Sequence, residues 1–207
     1  MANVDAPFGL RPTRTAWGAP YSGSANSYFA TGATGAIFIG DPILLDGTGN
    51  TAEAQGHAVG TLTGCTVGVA GDTNDIHGVC VAVLPVTRDS TTHREDSTDR
   101  IIQVADDPNL IFEVQTDTAS TDWAVTDIGS YANLLTGTGS TVTGLSGMTG
   151  DTTDGPDAAD VSNQLLIVRA SSRIGNAVGE FGVWEVLINR HGFGKDGSDT
   201  VGRFTAV

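Results

Sequence analysis

Apolar residues in this chain fall in short runs, and clusters of Gly, Asp, Asn, Ser and Thr separate one run from the next. In Asn109-Leu110-Ile111-Phe112-Glu113-Val114-Gln115, the residues Leu110, Phe112 and Val114 share one face. Ile111, Glu113 and Gln115 share the other, the period-two alternation of a half-buried strand. Similar β-prone runs lie at 27–30, 36–39, 43–45, 66–70, 78–84, 101–104, 164–170 and 182–189. The turn Thr31-Gly32-Ala33-Thr34-Gly35 predicts a hairpin joining the first two runs, and Gly40-Asp41-Pro42 predicts a corner. Asp46-Gly47-Thr48-Gly49-Asn50 is a further turn cluster, because Gly and Asn tolerate positive φ. This cadence predicts a mainly β fold, a β-barrel or β-sandwich.

Three stretches depart from the pattern. Residues 1–25 read as an extended N-terminal arm, because Pro7 and Pro12 remove backbone donors and push Ala6 and Arg11 out of the helical region. Phe8 and Leu10 supply apolar anchors on that arm, and Arg11 and Arg14 supply charged ones. Trp17 and Tyr21 follow where no core pattern has begun, and both residue types are favoured anchors at interfaces. Residues from about 116 to 163 are rich in Gly, Thr, Ser and Asp, with Trp123, Ile128, Tyr131, Leu134 and Leu135 as sparse apolar points. They read as an irregular insertion in a single β-rich body spanning 26–191, with one brief ordered stretch near 128–135. Residues 192–207 read as a second extended tail.

Composition narrows the picture. The chain has 207 residues, long enough for a single core without a metal or disulfide staple. Its 28 glycines, and its scarcity of Glu, Lys and Met, argue against helix. The net charge is −14, with one lysine, Lys195, and scattered arginines. Nucleic acid is therefore not an expected partner, since a polyanion is held by clustered Lys and Arg. No apolar run is long enough for a membrane-spanning helix, and no secretory signal is read, so synthesis and use in cytosol are expected. Cys65 and Cys80 are then expected as free thiols, with Cys80 a small buried strand residue.

Several stretches carry candidate chemistry. Gly47-Thr48-Gly49-Asn50-Thr51-Ala52 spells a degenerate phosphate loop, but no amphipathic helix follows it, which favours a hairpin turn. The stretch Asp151-Thr152-Thr153-Asp154-Gly155, with Asp157 and Asp160, has the composition of a calcium loop without its register, which favours a solvated loop. His57, His77, His93 and His191 form no zinc spacing, and His77 near Cys80 and Cys65 is the nearest approach to a cluster. Residues 88–100 gather acid, base and hydroxyl groups. They read as a mixed-charge loop that protrudes to fix register between subunits, ahead of a hydrolytic site built on His93 with Glu95 or Asp96. The expectation is a non-enzymatic protein with no catalytic residue, cofactor or metal.

The run Ala2-Asn3-Val4-Asp5-Ala6-Pro7-Phe8-Gly9-Leu10-Arg11-Pro12 resembles the start of head-associated structural proteins of tailed bacteriophages. The corner Gly40-Asp41-Pro42-Ile43-Leu44-Leu45 resembles the Gly-Asp-Pro-Val corner of capsid decoration, or cement, proteins. The resemblance reaches to about Val86. It implies a β-tulip-like body that binds the outer surface of the capsid in the virion, assembled in the host cytoplasm. The implied partners are the major capsid protein and the chain itself, as a homotrimer or else a dimer, with no nucleic acid and no membrane. Pro7, Phe8, Leu10, Arg11, Pro12, Arg14, Trp17 and Tyr21 are the expected capsid contacts, and removing residues 1–14 is expected to abolish binding while leaving the body folded. The alternative is a carbohydrate-binding or adhesive β module of a phage tail or fibre.

Overall fold

A computed structural model describes residues 3–32, 35–69, 71, 75–118 and 122–193. The expected tail beyond Phe193 lies outside the described residues, as do Ala33 and Thr34 of the first predicted turn. The fold is almost entirely β, as the run-and-turn pattern predicts. In chain order the strands are β1 (Arg11–Thr15), β2 (Asn26–Ala30), β3 (Pro42–Gly49), β4 (Thr63–Val67), β5 (Gly78–Val83) and β6 (Arg100–Ala105). They continue with β7 (Leu110–Gln115), β8 (Tyr131–Ala132), β9 (Leu134–Leu135), β10 (Thr149–Gly150), β11 (Leu165–Ala170) and β12 (Val183–Ile188). A single 3₁₀ turn, Val125–Asp127, is the helical element among the described residues.

Strands β2, β4, β3, β5 and β6 close into a barrel, and β1, β7, β12, β11 and β8 form a five-stranded sheet in that order. Closure leaves the barrel strands without a free edge. Inside it pack Tyr28, Ala30, Ile37, Ile43, Cys65, Cys80, Ile102 and Val104. Both cysteines are free and buried, as expected. The inner face of the sheet presents Leu110, Phe112 and Val114 of β7 with Trp184, Val186 and Ile188 of β12. These meet Ile76, Val79 and Ala105 from the barrel side in one cluster, so barrel and sheet share a core.

Two expectations need correction here. Residues 36–39 are not the second strand of a hairpin, since β2 pairs with β4 in parallel and with β6 antiparallel. Instead Ile37 exchanges backbone hydrogen bonds with Arg94, and Ile39 bonds to Gly144 and Ser146. The 88–100 connection does not protrude at its centre: Arg94 is fully buried, and its guanidinium donates to the carbonyls of Thr31, Gly35 and Thr98. Neighbouring carbonyls satisfy a cation that the sequence alone reads as solvated.

The 116–163 stretch is irregular yet packed. Trp123 is fully buried in the shared core, edge-on to Trp184 with ring centroids 6.1 Å apart, and its Nε1 donates to the Asp151 carbonyl at 3.0 Å. The brief ordered stretch expected near 128–135 is present as β8 and β9.

Candidate docking face

The N-terminal residues are not a free strap within this chain. Residues 11–15 form β1 on the chain's own sheet, antiparallel to β7. Ahead of them, Phe8-Gly9-Leu10 runs directly against the Gly40 corner, where the Leu10 amide donates to the Gly40 carbonyl at 2.8 Å. Gly9 and Gly40 sit at φ +68° and +98°, and a methyl group on Gly40 would run into the Phe8 carbonyl. Glycine is required at both positions for the two backbones to touch. The two segments that carry the phage resemblance are thus in contact with each other. Leu10 is 1% exposed and belongs to the shared core. This burial corrects the expectation that residues 1–14 could be removed without disturbing the body.

The outer edge of β1 is also occupied, because the Tyr21 amide donates to the Thr13 carbonyl and the Thr15 amide to the Ala19 carbonyl. The 15–19 turn between these bonds lifts Trp17 away from the body, 77% exposed. Tyr21 packs back onto the shared core, and its hydroxyl donates to the Ser24 carbonyl at 2.9 Å. Of the two aromatics expected as anchors, Trp17 presents its ring to solvent. Pro7, Phe8 and Pro12 are half-buried.

Arg11 and Arg14 converge on the outer face of the sheet. Residues three apart on a regular strand point to opposite faces. A β-bulge at Thr13 breaks that parity, so Arg11 pairs with Glu113 and Arg14 with Ile111, both on the outer face. A second bulge, between Ile167 and Arg169, turns Arg169 outward against Glu185 while Ile167 stays inward. Glu113 and Glu185 are themselves cross-strand partners. The result is one continuous row across four neighbouring strands: Arg11, Glu113, Glu185, Arg169.

Like charges directly opposite on a sheet repel, and these two carboxylates are buried, 6% and 5% exposed. Arginines offset the repulsion. Glu185 accepts from Arg14 at 2.6 Å and from both Nε and a terminal nitrogen of Arg169, at 2.9 and 2.8 Å. Glu113 is ion-paired to Arg11, lies 3.9 Å from Arg173, and accepts from the Ser171 hydroxyl. Burial pushes the Glu185 carboxyl up, but the hydrogen bonds from Arg169 and Arg14 outweigh it and hold the group below the usual carboxylate range. Phe8 lies beneath Arg11 and Arg173, whose guanidinium carbons sit 4.9 and 5.6 Å from its ring centre. Beside Phe8 opens a groove of about 390 Å³ bordered by Val4, Phe181 and the fully exposed Ile174. Sequence reasoning found Arg11 and Arg14 but missed Glu113, Glu185, Arg169 and Arg173. The signal was there: an acid in the middle of each of two strongly apolar strands.

The remaining candidates do not assemble into reactive centres. His93 is buried and stacks flat on Phe38, 4.7 Å between centroids, and no hydrogen bond links it to Glu95 or Asp96. His77 makes no hydrogen bond to either cysteine. Its Nε2 lies 2.7 Å from the Tyr28 hydroxyl, which donates to Asp106 at 2.6 Å. One hydroxyl proton cannot serve both neighbours, so His77 holds a proton on Nε2. Burial lowers the His77 pKa, and the ring is 1% exposed. This relay ties β2 to the ends of β5 and β6. Residues 47–52 are not a hairpin turn: β3 runs on to Gly49 through an irregularity in its pairing with β4, and the connection to β4 continues to residue 62. The Asp-rich loop is built of local turns in which Asp151, Asp157 and Asp160 accept amides two residues on. Among the described residues no group of three or more His, Cys, Asp or Glu side chains could hold a metal ion, and no helix is long and apolar enough to cross a membrane.

Compared with family models, curated proteins and solved structures, the chain matches none of them.

Proposed function

We propose that this protein is a non-enzymatic virion structural protein that binds the outer surface of a tailed-phage capsid and stabilises it, acting as an oligomer. The observation that carries this reading is Trp17, held 77% exposed on a turn whose two sides are hydrogen-bonded to the body. With the turn backbone held in this way, only the two side-chain torsions of the indole remain to be ordered on docking, which suits a contact repeated over many copies. The N-terminal segment supports the same reading, since the residues that resemble phage head proteins build the ground on which Trp17 stands. Packing of Leu10 and β1 onto the body makes the contact surface a rigid part of the fold, so shell binding is by a preformed face.

Co-sedimentation with expanded capsids lacking the protein tests this. Saturation at a fixed copy number per capsid subunit, lost in Trp17→Ala, is the expected result. No binding of a folded protein would overturn the reading in favour of the adhesive module and direct the next assay to glycans.

A further inference from the structure

The arginine row is cationic at its surface although its carboxylates are not. The side chains of Arg11, Arg14, Arg169 and Arg173 are 49%, 24%, 50% and 41% exposed, against 8% and 7% for Glu113 and Glu185. Four guanidiniums over two carboxylates leave a surplus of two positive charges on one face of a chain whose net charge is −14. The surfaces elsewhere are correspondingly acidic. At physiological salt, charges more than about 8 Å apart are largely screened, so the local match between patches decides which surfaces can meet.

Asp151, Asp154, Asp157 and Asp160 line a recess of about 220 Å³ with Asn133 and Asn163. No arginine of the described residues is ion-paired with any of these four aspartates. The recess lies beyond β8, where Asp157 bridges to Tyr131, whereas Arg11 and Arg14 stand on β1. Those strands are the two edges of the same sheet, and the row runs from β1 across to Arg169 on β11, the strand beside β8.

We propose that a second copy of this chain docks its Asp151–Asp160 recess on the arginine row, head to tail. Guanidinium forks pair well with carboxylates, and here the forks are already oriented by Glu113 and Glu185. A two-fold contact through the row would set arginine against arginine, so the charge pattern selects a heterologous interface. Such an interface leaves one unused patch on each end of a pair and grows until rotation closes it, which gives a ring of more than two copies. In that ring Arg11 and Arg14 serve the neighbouring copy, and Trp17 is left for the shell. The inference rests on the self-association part of the proposed function and not on capsid binding.

Sedimentation velocity of the isolated protein, without capsids, tests it. Oligomers larger than a dimer are expected at about 0.05 M NaCl, dissociating towards monomer at about 1 M. Arg173→Gln, chosen because Arg173 is the most distant of the four from its carboxylate, and the double change Asp154→Asn with Asp157→Asn should each weaken association about tenfold or more. An equimolar mixture of the two variants should form a one-to-one complex that grows no further, since one good interface remains. Thermal melts matching the parent protein show that both variants are folded. Parent protein that stays monomeric at low salt, folded variants that associate like the parent, or a mixture that forms no heterodimer would each overturn the proposal. Ring formation with failed capsid co-sedimentation would count against the decoration reading alone.

Discussion

The barrel and the sheet each bury a carboxylate, and they treat it in opposite ways. Asp41, at the barrel corner, is 4% exposed and accepts hydrogen bonds from the Phe38 amide and the Ser146 hydroxyl, with no arginine beside it. Burial pushes its pKa from 3.8 up to about 6. Glu185, in the sheet, is equally hidden but clasped by Arg14 and Arg169, and it ends below its ordinary range. Solvent exposure is nearly the same at the two sites, so exposure alone does not set the sign of the shift. Asp41 lies deeper and has no cation to offset its desolvation, whereas the arginines beside Glu185 outweigh a smaller one. The two regions should therefore lose stability in opposite directions of pH change. Asp41 binds its proton more tightly in the folded state, so its contribution is fullest below about 3.8 and falls as pH rises through about 6. Glu185 stabilises fully above about 4.5 and loses that contribution as pH falls through its lower folded value.

The contrast can be broken at several points. The largest effect should come from the core both regions share: Phe112→Ala, at a site 1% exposed, is expected to cost about 3–5 kcal/mol in chemical denaturation and to unfold barrel and sheet together. Two separate transitions would show that they are independent units. Asp41→Asn should remove a pH-dependent penalty on the order of 3 kcal/mol, flattening the melting temperature between pH 4 and 7 while keeping the Phe38 contact. A slope equal to the parent's would place the loss with rising pH elsewhere. Glu185→Gln should cost about 1.5–3 kcal/mol at neutral pH, by weakening charge-assisted hydrogen bonds, and the cost should shrink as pH falls through the lowered folded value. Gly40→Ala should cost about 1–3 kcal/mol through its positive φ and the obstructed Phe8 carbonyl. Hydrogen exchange should then speed up at Leu10 and along β1 before it does in the barrel. Trp17→Ala should change stability by less than about 0.5 kcal/mol, which makes it the clean probe of binding.

Much of the strand pattern was legible because a half-buried strand writes its period into the sequence, and residues 109–115 and 182–189 did so plainly. The pattern failed where one residue was added to a strand. Period-two logic puts Arg11 and Arg14 on different faces and Ile167 and Arg169 on the same one, and both bulges reverse this. The buried Arg94 was illegible for another reason, since its carbonyl partners at residues 31, 35 and 98 come from turns whose shape the sequence leaves open. Residues 36–39 read as a strand by composition, but their backbone partners are loops, so their apolar side chains reported burial correctly and pairing wrongly. The docking face was half visible: the basic members on β1 stood out, while Glu113 and Glu185 looked like ordinary polar positions until cross-strand register brought them together.

The pairing of β1 with β7 also carries a consequence for synthesis on the ribosome. Residues 11–15 emerge about a hundred positions before the strand they must pair with, and the carboxylate that holds Arg14 follows some seventy positions later still. At translation rates of about 5–20 residues per second, the N-terminal segment waits several seconds for its partners. Strand β1 is thus made well before it can settle, and the face that carries the row is completed only once β12 has emerged.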